Sequence, residues 1–187
     1  MKRILCLGDS NTFGFDPRDF LGSRYPAGVR WTGRLQGMGA EVCNMGQNGL
    51  SIPNEAQLPV LADTLRRGEA FDVVTVMLGS NDLLGGATPE ETAARMEPLL
   101  RCIAENAEGA RVVLIAPPPM QSGEWVAESA LLDASARLGG LYRALAEKLG
   151  VTFADAGGWG VSLTFDGVHF SPEGHEAFAK GLAAIVF

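Results

Sequence analysis

The chain has 187 residues, about one domain's worth of sequence. Apolar residues make up 47% and charged residues 20%, a globular balance that excludes disorder, collagen and long coiled coil, and no apolar run approaches the ~18 residues of a membrane helix. The formal net charge of −7 repels phosphate backbones and anionic lipid, so neither nucleic acid nor a membrane surface is an expected partner.

At the N-terminus, Lys2 and Arg3 precede an apolar run that is too short for a signal peptide and meets Asp9 at once. A cytoplasmic, reducing setting is expected. Cys6, Cys43 and Cys102 are an odd number at wide spacing with no Cys-x-x-Cys pair, and are expected as buried reduced thiols rather than disulfides or metal ligands. Strand-length apolar runs follow at 3–7, 41–45, 72–78, 111–116 and 151–154; three of them are near-continuous in Val, Ile, Leu and Met, as for strands covered on both faces of a parallel sheet.

Helical patterns separate these runs. A short one is expected near 32–38. Leu58, Leu61 and Leu65 share a face before Gly68. Thr88-Pro89-Glu90-Glu91 is a capping box opening a helix with Ala93, Met96, Leu100 and Ile103 on one side, which Pro98 is expected to kink or interrupt. Leu138, Leu141, Tyr142, Leu145 and Leu149 form the next stripe, weakened by Gly139-Gly140 and ended by Gly150. Ser171-Pro172-Glu173 opens the last helix, which buries Phe178, Leu182 and Ile185. Strict β-α alternation with no repeat or linker predicts one domain over 1–187, an α/β three-layer sandwich with right-handed crossovers. Chemistry in such sheets sits beyond the carboxyl ends of the strands.

Four segments meet that condition: Gly8-Asp9-Ser10-Asn11-Thr12-Phe13-Gly14, Asn44-Met45-Gly46-Gln47-Asn48-Gly49, Gly79-Ser80-Asn81-Asp82 and Asp166-Gly167-Val168-His169. Together they supply a hydroxyl, flexible backbone amides, a carboxamide, and an acid beside a base, which is the inventory for acyl transfer by a serine. A serine hydroxyl is inert at neutral pH unless a neighbour takes its proton, and histidine is the natural acceptor. Of the two histidines, His169 lies in a loop, whereas His175 lies within the last helix and reads as a packed core residue. Asp166, three residues before His169, is placed to hold Nδ1 of the imidazole and leave Nε2 free. Asn81 and the Gly49 and Ser10 amides are candidates to meet a developing oxyanion. Taken singly, Ser10 is a helix cap, Asp166 and Asn81 are turn formers and Gly49 is a loop glycine. Their convergence on one edge argues for a site. The lack of a Gly-x-Ser-x-Gly elbow argues against the α/β-hydrolase fold.

These four blocks resemble those of the GDSL, or SGNH, hydrolases: Gly8-Asp9-Ser10, then Gly49, then Gly79-x-Asn81-Asp82, then Asp166-x-x-His169, in the family's order from the first strand to the last helix. The resemblance implies a flavodoxin-like fold, a five-stranded parallel sheet of order 2-1-3-4-5. It implies Ser10 as nucleophile, His169 as general base and then acid, Asp166 as its orienting partner, and Ser10, Gly49 and Asn81 as oxyanion donors, with Gly46 the alternative to Gly49. Asn11 stands where the family name implies Leu, and little effect is expected because its side chain should point away from the acyl carbon. With Arg30-Trp31-Thr32-Gly33, residues 2–14 look most like the arylesterase and acyltransferase branch, although Phe13 replaces a frequent Trp there. Members of that branch often form oligomers, so a homo-oligomer is implied by resemblance.

The expected partner is a small-molecule ester, the expected reaction its hydrolysis through an acyl-serine, with acyl transfer to alcohols and carbohydrate deacetylation as related outcomes. A chain this short leaves little room for a lid, which favours short acyl groups. Segment 15–30, with Asp16, Arg18, Asp19, Arg24 and Tyr25, and segment 117–125, with its proline run, Met120 and Trp125, are candidates to wall an acyl pocket or alcohol channel. The plain readings of the proline run and of Trp125 are a stiff loop and a surface aromatic. Two other classes compete. A flavin or phosphate-binding module is disfavoured by Asp9 in the first loop and by the lack of a Gly-x-Gly-x-x-Gly or Walker string; an inactive binding protein is disfavoured because each catalytic type is present. Two histidines and scattered cysteines make no tetrahedral metal set, and no cofactor is expected.

Overall fold

Alternation along the apolar runs decides how the layers form. In the computed structural model, which describes residues 1–19, 21–68 and 70–187, the strands are β1 (Arg3–Gly8), β2 (Glu41–Gly46), β3 (Val73–Met77), β4 (Arg111–Ala116) and β5 (Thr152–Asp155). They form one parallel five-stranded sheet of order β2-β1-β3-β4-β5. Phe20, inside segment 15–30, lies outside the described residues. Successive side chains face opposite ways, so Leu5, Leu7, Val74, Val76, Val112 and Leu114 enter one core. Ile4, Cys6, Val73, Met77, Val113 and Ile115 enter the other.

The first core is covered by α3 (Leu58–Arg67), α5 (Pro89–Asn106) and α6 (Ser129–Leu149), through residues such as Leu65, Met96, Leu100, Leu138 and Tyr142. The second is covered by α2 (Trp31–Gly37) and α7 (Pro172–Val186), through Trp31, Leu35, Phe178 and Leu182. Two short helices, α1 (Ser10–Phe13) and α4 (Ser80–Leu84), begin directly after β1 and β3. The result is the α/β sandwich expected from the alternating pattern, with the sheet order that the resemblance implied. Among the described residues no helix is long and apolar enough to cross a membrane.

Two local expectations are corrected. Pro98 does not interrupt α5, which runs unbroken past it; the carbonyl left without a donor is that of Ala94, which is exposed and open to water. Gly139-Gly140, the weak point expected in the next helix, lies within α6 (Ser129–Leu149), where burial of Leu138 and Tyr142 offsets weak local propensity. All three cysteines are free, but Cys43 is exposed while Cys6 and Cys102 are buried. β2 is an edge strand whose alternate residues Glu41 and Cys43 face outward.

One close approach fixes where the first loop sits. A Cβ on Gly46, at the end of β2, would lie 2.1 Å from the Phe13 backbone nitrogen and 2.5 Å from the Thr12 carbonyl carbon. Only glycine lets α1 settle against this strand. Asn44 on the same strand donates from Nδ2 to the Thr12 carbonyl at 2.7 Å and to Thr32 Oγ1 at 3.0 Å, tying α1 and α2 to β2.

Candidate active site

Ser10 opens α1 immediately beyond β1. Asp9 caps this short helix, accepting the Asn11 N–H at 2.9 Å, and Gly14 ends it in the left-handed region. Trp31, fully buried on α2, donates its indole N–H to the Asn11 carbonyl at 2.9 Å. The hydroxyl therefore rides on a turn fixed from three directions.

Across the sheet edge, Ser10 Oγ lies 2.9 Å from His169 Nε2, and His169 Nδ1 lies 2.6 Å from Asp166 Oδ2. The other Asp166 oxygen accepts three bonds, each of 2.9 Å, from Thr164 Oγ1 and from the Val168 and His169 amides. Asp166 thus closes its own Asp-Gly turn, with Gly167 at φ +80°, and also holds the imidazole; the turn-forming and orienting readings coexist. Burial pushes the Asp166 carboxyl up, but the His169 ring and the two amides outweigh it and hold the group down at about 2. An anion at Asp166 keeps the ring proton on Nδ1 and leaves Nε2 able to accept from a hydroxyl.

The second and third loops are joined to each other through Asn81 and Asp82. Asn81 Nδ2 donates to the Leu50 carbonyl at 3.1 Å, which leaves its second N–H free to point elsewhere. The buried Asp82 carboxylate accepts the Ile52 N–H at 2.9 Å and Arg95 Nη1 at 3.1 Å, pinning the same loop to α4. Gly49 is exposed at φ +72°, and neither its N–H nor that of Ser10 is taken by a protein acceptor among the described residues. The Gly46 N–H, by contrast, is committed to Asn44 Oδ1 at 2.9 Å. Of the two glycines weighed for an oxyanion donor, only Gly49 has a free amide.

Asn11 departs most from expectation. Its buried carboxamide donates from Nδ2 to the Val168 carbonyl at 3.1 Å and accepts the Phe170 N–H at 2.9 Å, so it grips the chain on both sides of His169. The expectation of little effect considered only the direction of the acyl carbon and is corrected. Asn11→Leu strands a buried carbonyl and a buried N–H, each costing about 1–3 kcal/mol. Turnover is expected to fall on the order of 10–10²-fold as the imidazole loses its alignment, with KM little changed. Steady-state kinetics beside a urea melt checks both effects.

His175 is the core residue the sequence suggests. It is fully buried, and its Nδ1 accepts the Trp31 N–H at 3.4 Å. Burial depresses its protonation to about 3, with the Arg34 and Arg30 charges adding to the effect. Asp9 shifts the opposite way: burial raises its carboxyl to about 6 against the pull of the Asn11 amide and the His169 ring. A folded value above the ordinary 3.8 means that Asp9 favours folding fully below about 4, and that this contribution is lost as pH rises through about 6. Asp9→Asn keeps a capping oxygen and removes the penalty. The variant is expected to gain on the order of 2–3 kcal/mol over the native chain between pH 4 and pH 8, read from paired urea unfolding curves.

Two aromatic rings flank the imidazole, Phe15 with its centroid at 4.8 Å and Trp125 at 5.0 Å. Elsewhere in segment 15–30 Asp16 pairs with Arg18, and Arg24 donates to the Phe13 carbonyl at 2.8 Å and stacks on the Phe13 ring. From the proline run the chain turns inward to Met120, which is buried in the core. Among the described residues no group of three His, Cys, Asp or Glu side chains is placed to hold a metal ion.

Residues 6–177 match the family model described as the GDSL-like lipase/acylhydrolase family. No curated protein matches the chain. Among solved structures, a putative arylesterase from Agrobacterium tumefaciens str. C58 is 31% identical, with all of this chain and 98% of that one covered and a TM-score of 0.85. The native M. smegmatis aryl esterase is 29% identical over 100% and 98% of the two chains, with a TM-score of 0.85. A carbohydrate acetylesterase family member from Sinorhizobium meliloti is 29% identical over 100% and 97%, with a TM-score of 0.83.

Proposed function

Because the chain belongs to the GDSL-like lipase/acylhydrolase family and is a carboxylic ester hydrolase, we propose that it cleaves short-chain, acetyl-type esters through an acyl-serine on Ser10. The observation that carries this reading is the buried relay from Ser10 Oγ through His169 to Asp166, at 2.9 and 2.6 Å. Ser10 Oγ attacks the ester carbonyl while His169 Nε2 takes its proton. The oxyanion is met by the free amides of Ser10 and Gly49 and by the second N–H of Asn81. His169 then returns the proton to the departing alkoxide, and water repeats the path to release the acid.

A short acyl group is favoured because the segments around His169 are fastened to the body rather than built as a long lid. An alcohol in place of water completes acyl transfer by the same steps. A second reading, removal of acetyl groups from carbohydrate, draws on the likeness to the Sinorhizobium meliloti carbohydrate acetylesterase family member. The test is a series of acetyl, butyryl and octanoyl aryl esters and acetylated sugars, each with and without a competing alcohol. The acetyl esters are expected to give the highest kcat/KM, and a best rate with octanoyl would overturn the short-chain assignment. A homo-oligomer is a further proposal, and sedimentation of the purified chain checks it.

A further inference from the structure

Of the two rings beside His169, only Trp125 is open: 53% of it is exposed. Its backbone, however, is held firmly. The Trp125 N–H donates to the Asp166 carbonyl at 3.1 Å, the Glu124 N–H to the Phe165 carbonyl at 3.1 Å and the Gln121 N–H to the Gly167 carbonyl at 3.0 Å. The next residue, Val126, is fully buried. An exposed indole on an immobilised segment is a preorganised surface, and a ligand that covers it gains apolar burial without ordering the chain.

The placement of this surface selects one half of the substrate. The indole stands nearly perpendicular to the His169 ring, at 82°, and its segment is bonded to the loop that carries His169 and Asp166. A leaving alkoxide must come within hydrogen-bond reach of His169 Nε2 to receive its proton, so the alcohol half of the ester departs on this side. From Trp125 a groove of about 710 Å³ continues between Leu83 and Leu84, which follow Asn81, and Leu131 on α6. Glu128 and Asp133 also line it, together with Arg137, whose guanidinium is paired with Glu90; the lining therefore offers no surplus positive charge, which disfavours an anionic alcohol in a chain of net charge −7.

We infer that Trp125 determines specificity for the alcohol half of the ester, selecting uncharged alcohols that present a ring face to the indole and extend into the groove beside it. This rests on the esterase reading above. The shared chemistry is a flat apolar face, which an aromatic ring and the C–H face of a pyranose both provide.

The test compares the native chain with Trp125→Ala and Trp125→Phe on phenyl acetate, an acetylated methyl pyranoside, ethyl acetate and ethyl butyrate. The quantity read is each ring ester's kcat/KM divided by that of ethyl acetate, which cancels intrinsic leaving-group reactivity when variants are compared. Trp125→Ala is expected to lower this ratio about tenfold, the scale of one lost ring contact and its buried area, and Trp125→Phe to restore most of it. A drop confined to the aryl or to the sugar ester supports the inference and names the source of the ring. An unchanged ratio overturns it, as does a uniform loss on every ester with a displaced pH profile, since that marks a role in holding His169. A change seen only between ethyl acetate and ethyl butyrate moves the indole to the acyl side and also overturns it. Failure of the esterase reading looks different: the native chain would turn over none of the four esters and would resist a serine-directed fluorophosphonate, and the inference would fall with it.

Discussion

Replacing Ser10 with alanine is expected to lower turnover of p-nitrophenyl acetate by about 10⁴-fold or more and to erase any initial burst of p-nitrophenol. The argument is geometric. Among the described residues, the Ser10 hydroxyl is the oxygen bonded to His169 Nε2, at 2.9 Å, and in the proposed mechanism it is the atom that attacks the ester carbonyl. Removing Oγ takes away the atom that forms the acyl bond and leaves the amides intact, so weak substrate binding and a residual water reaction survive. The fold should survive as well, because α1 is held by the Asp9 cap, the Trp31 indole and the Asn44 carboxamide, none of which uses Oγ. The variant should also fail to label with a fluorophosphonate probe that modifies the native chain. Equal rates for the two proteins, with native-like thermal unfolding of the variant, would remove Ser10 from the chemistry.

How much of this arrangement was legible in the residues varies with the kind of signal. The sheet was legible because strands covered on both faces leave long Val-, Ile- and Leu-rich runs, and β4 falls on the expected 111–116. The capping box at Thr88 and Glu91 marks the start of α5 in sequence and in structure. What misled was a local rule tested against tertiary burial: a proline such as Pro98 interrupts a helix in isolation, but the core behind α5 decides. The site segments were legible by position, since each follows a strand on the carboxyl edge. Asn11 was not, because its partners, Val168 and Phe170, lie more than 150 residues along the chain, and spacing carries no signal for such a bond. A usable hint was chemical: a carboxamide directly after the serine, in a segment otherwise headed for burial, needs polar partners. Asp82 is the same case, an acid beside Asn81 whose grip on the Ile52 amide appears only when the loops meet. Trp125 too was visible as an exposed aromatic, whereas its contact with the imidazole depended on the path of segment 117–125 back across the sheet edge.

Asp166→Asn is expected to cost about 10⁴ in kcat while changing KM far less, the signature of a wrong imidazole tautomer rather than of lost binding. One carboxylate oxygen accepts from Thr164 Oγ1, Val168 N–H and His169 N–H, so an asparagine carbonyl is drawn to that side. Its NH₂ group then faces His169 Nδ1, a position where the native oxygen accepts at 2.6 Å. The ring can satisfy a donor there only by giving up its Nδ1 proton and carrying the proton on Nε2, which turns Nε2 toward Ser10 as a donor. A base that presents a proton cannot accept one, and raising the pH does not correct a tautomer. The stability of the variant supplies a second reading with its own sign. The native carboxyl, held down at about 2 against an ordinary 3.8, stabilises the fold fully above about 4, and that contribution fades as pH falls toward 2. Asp166→Asn should therefore be less stable than the native chain at pH 7 and close the gap in acid, as measured by denaturant unfolding across that window. A variant that keeps kcat within tenfold of native would show that the short bond between Asp166 and His169 orients nothing the reaction needs.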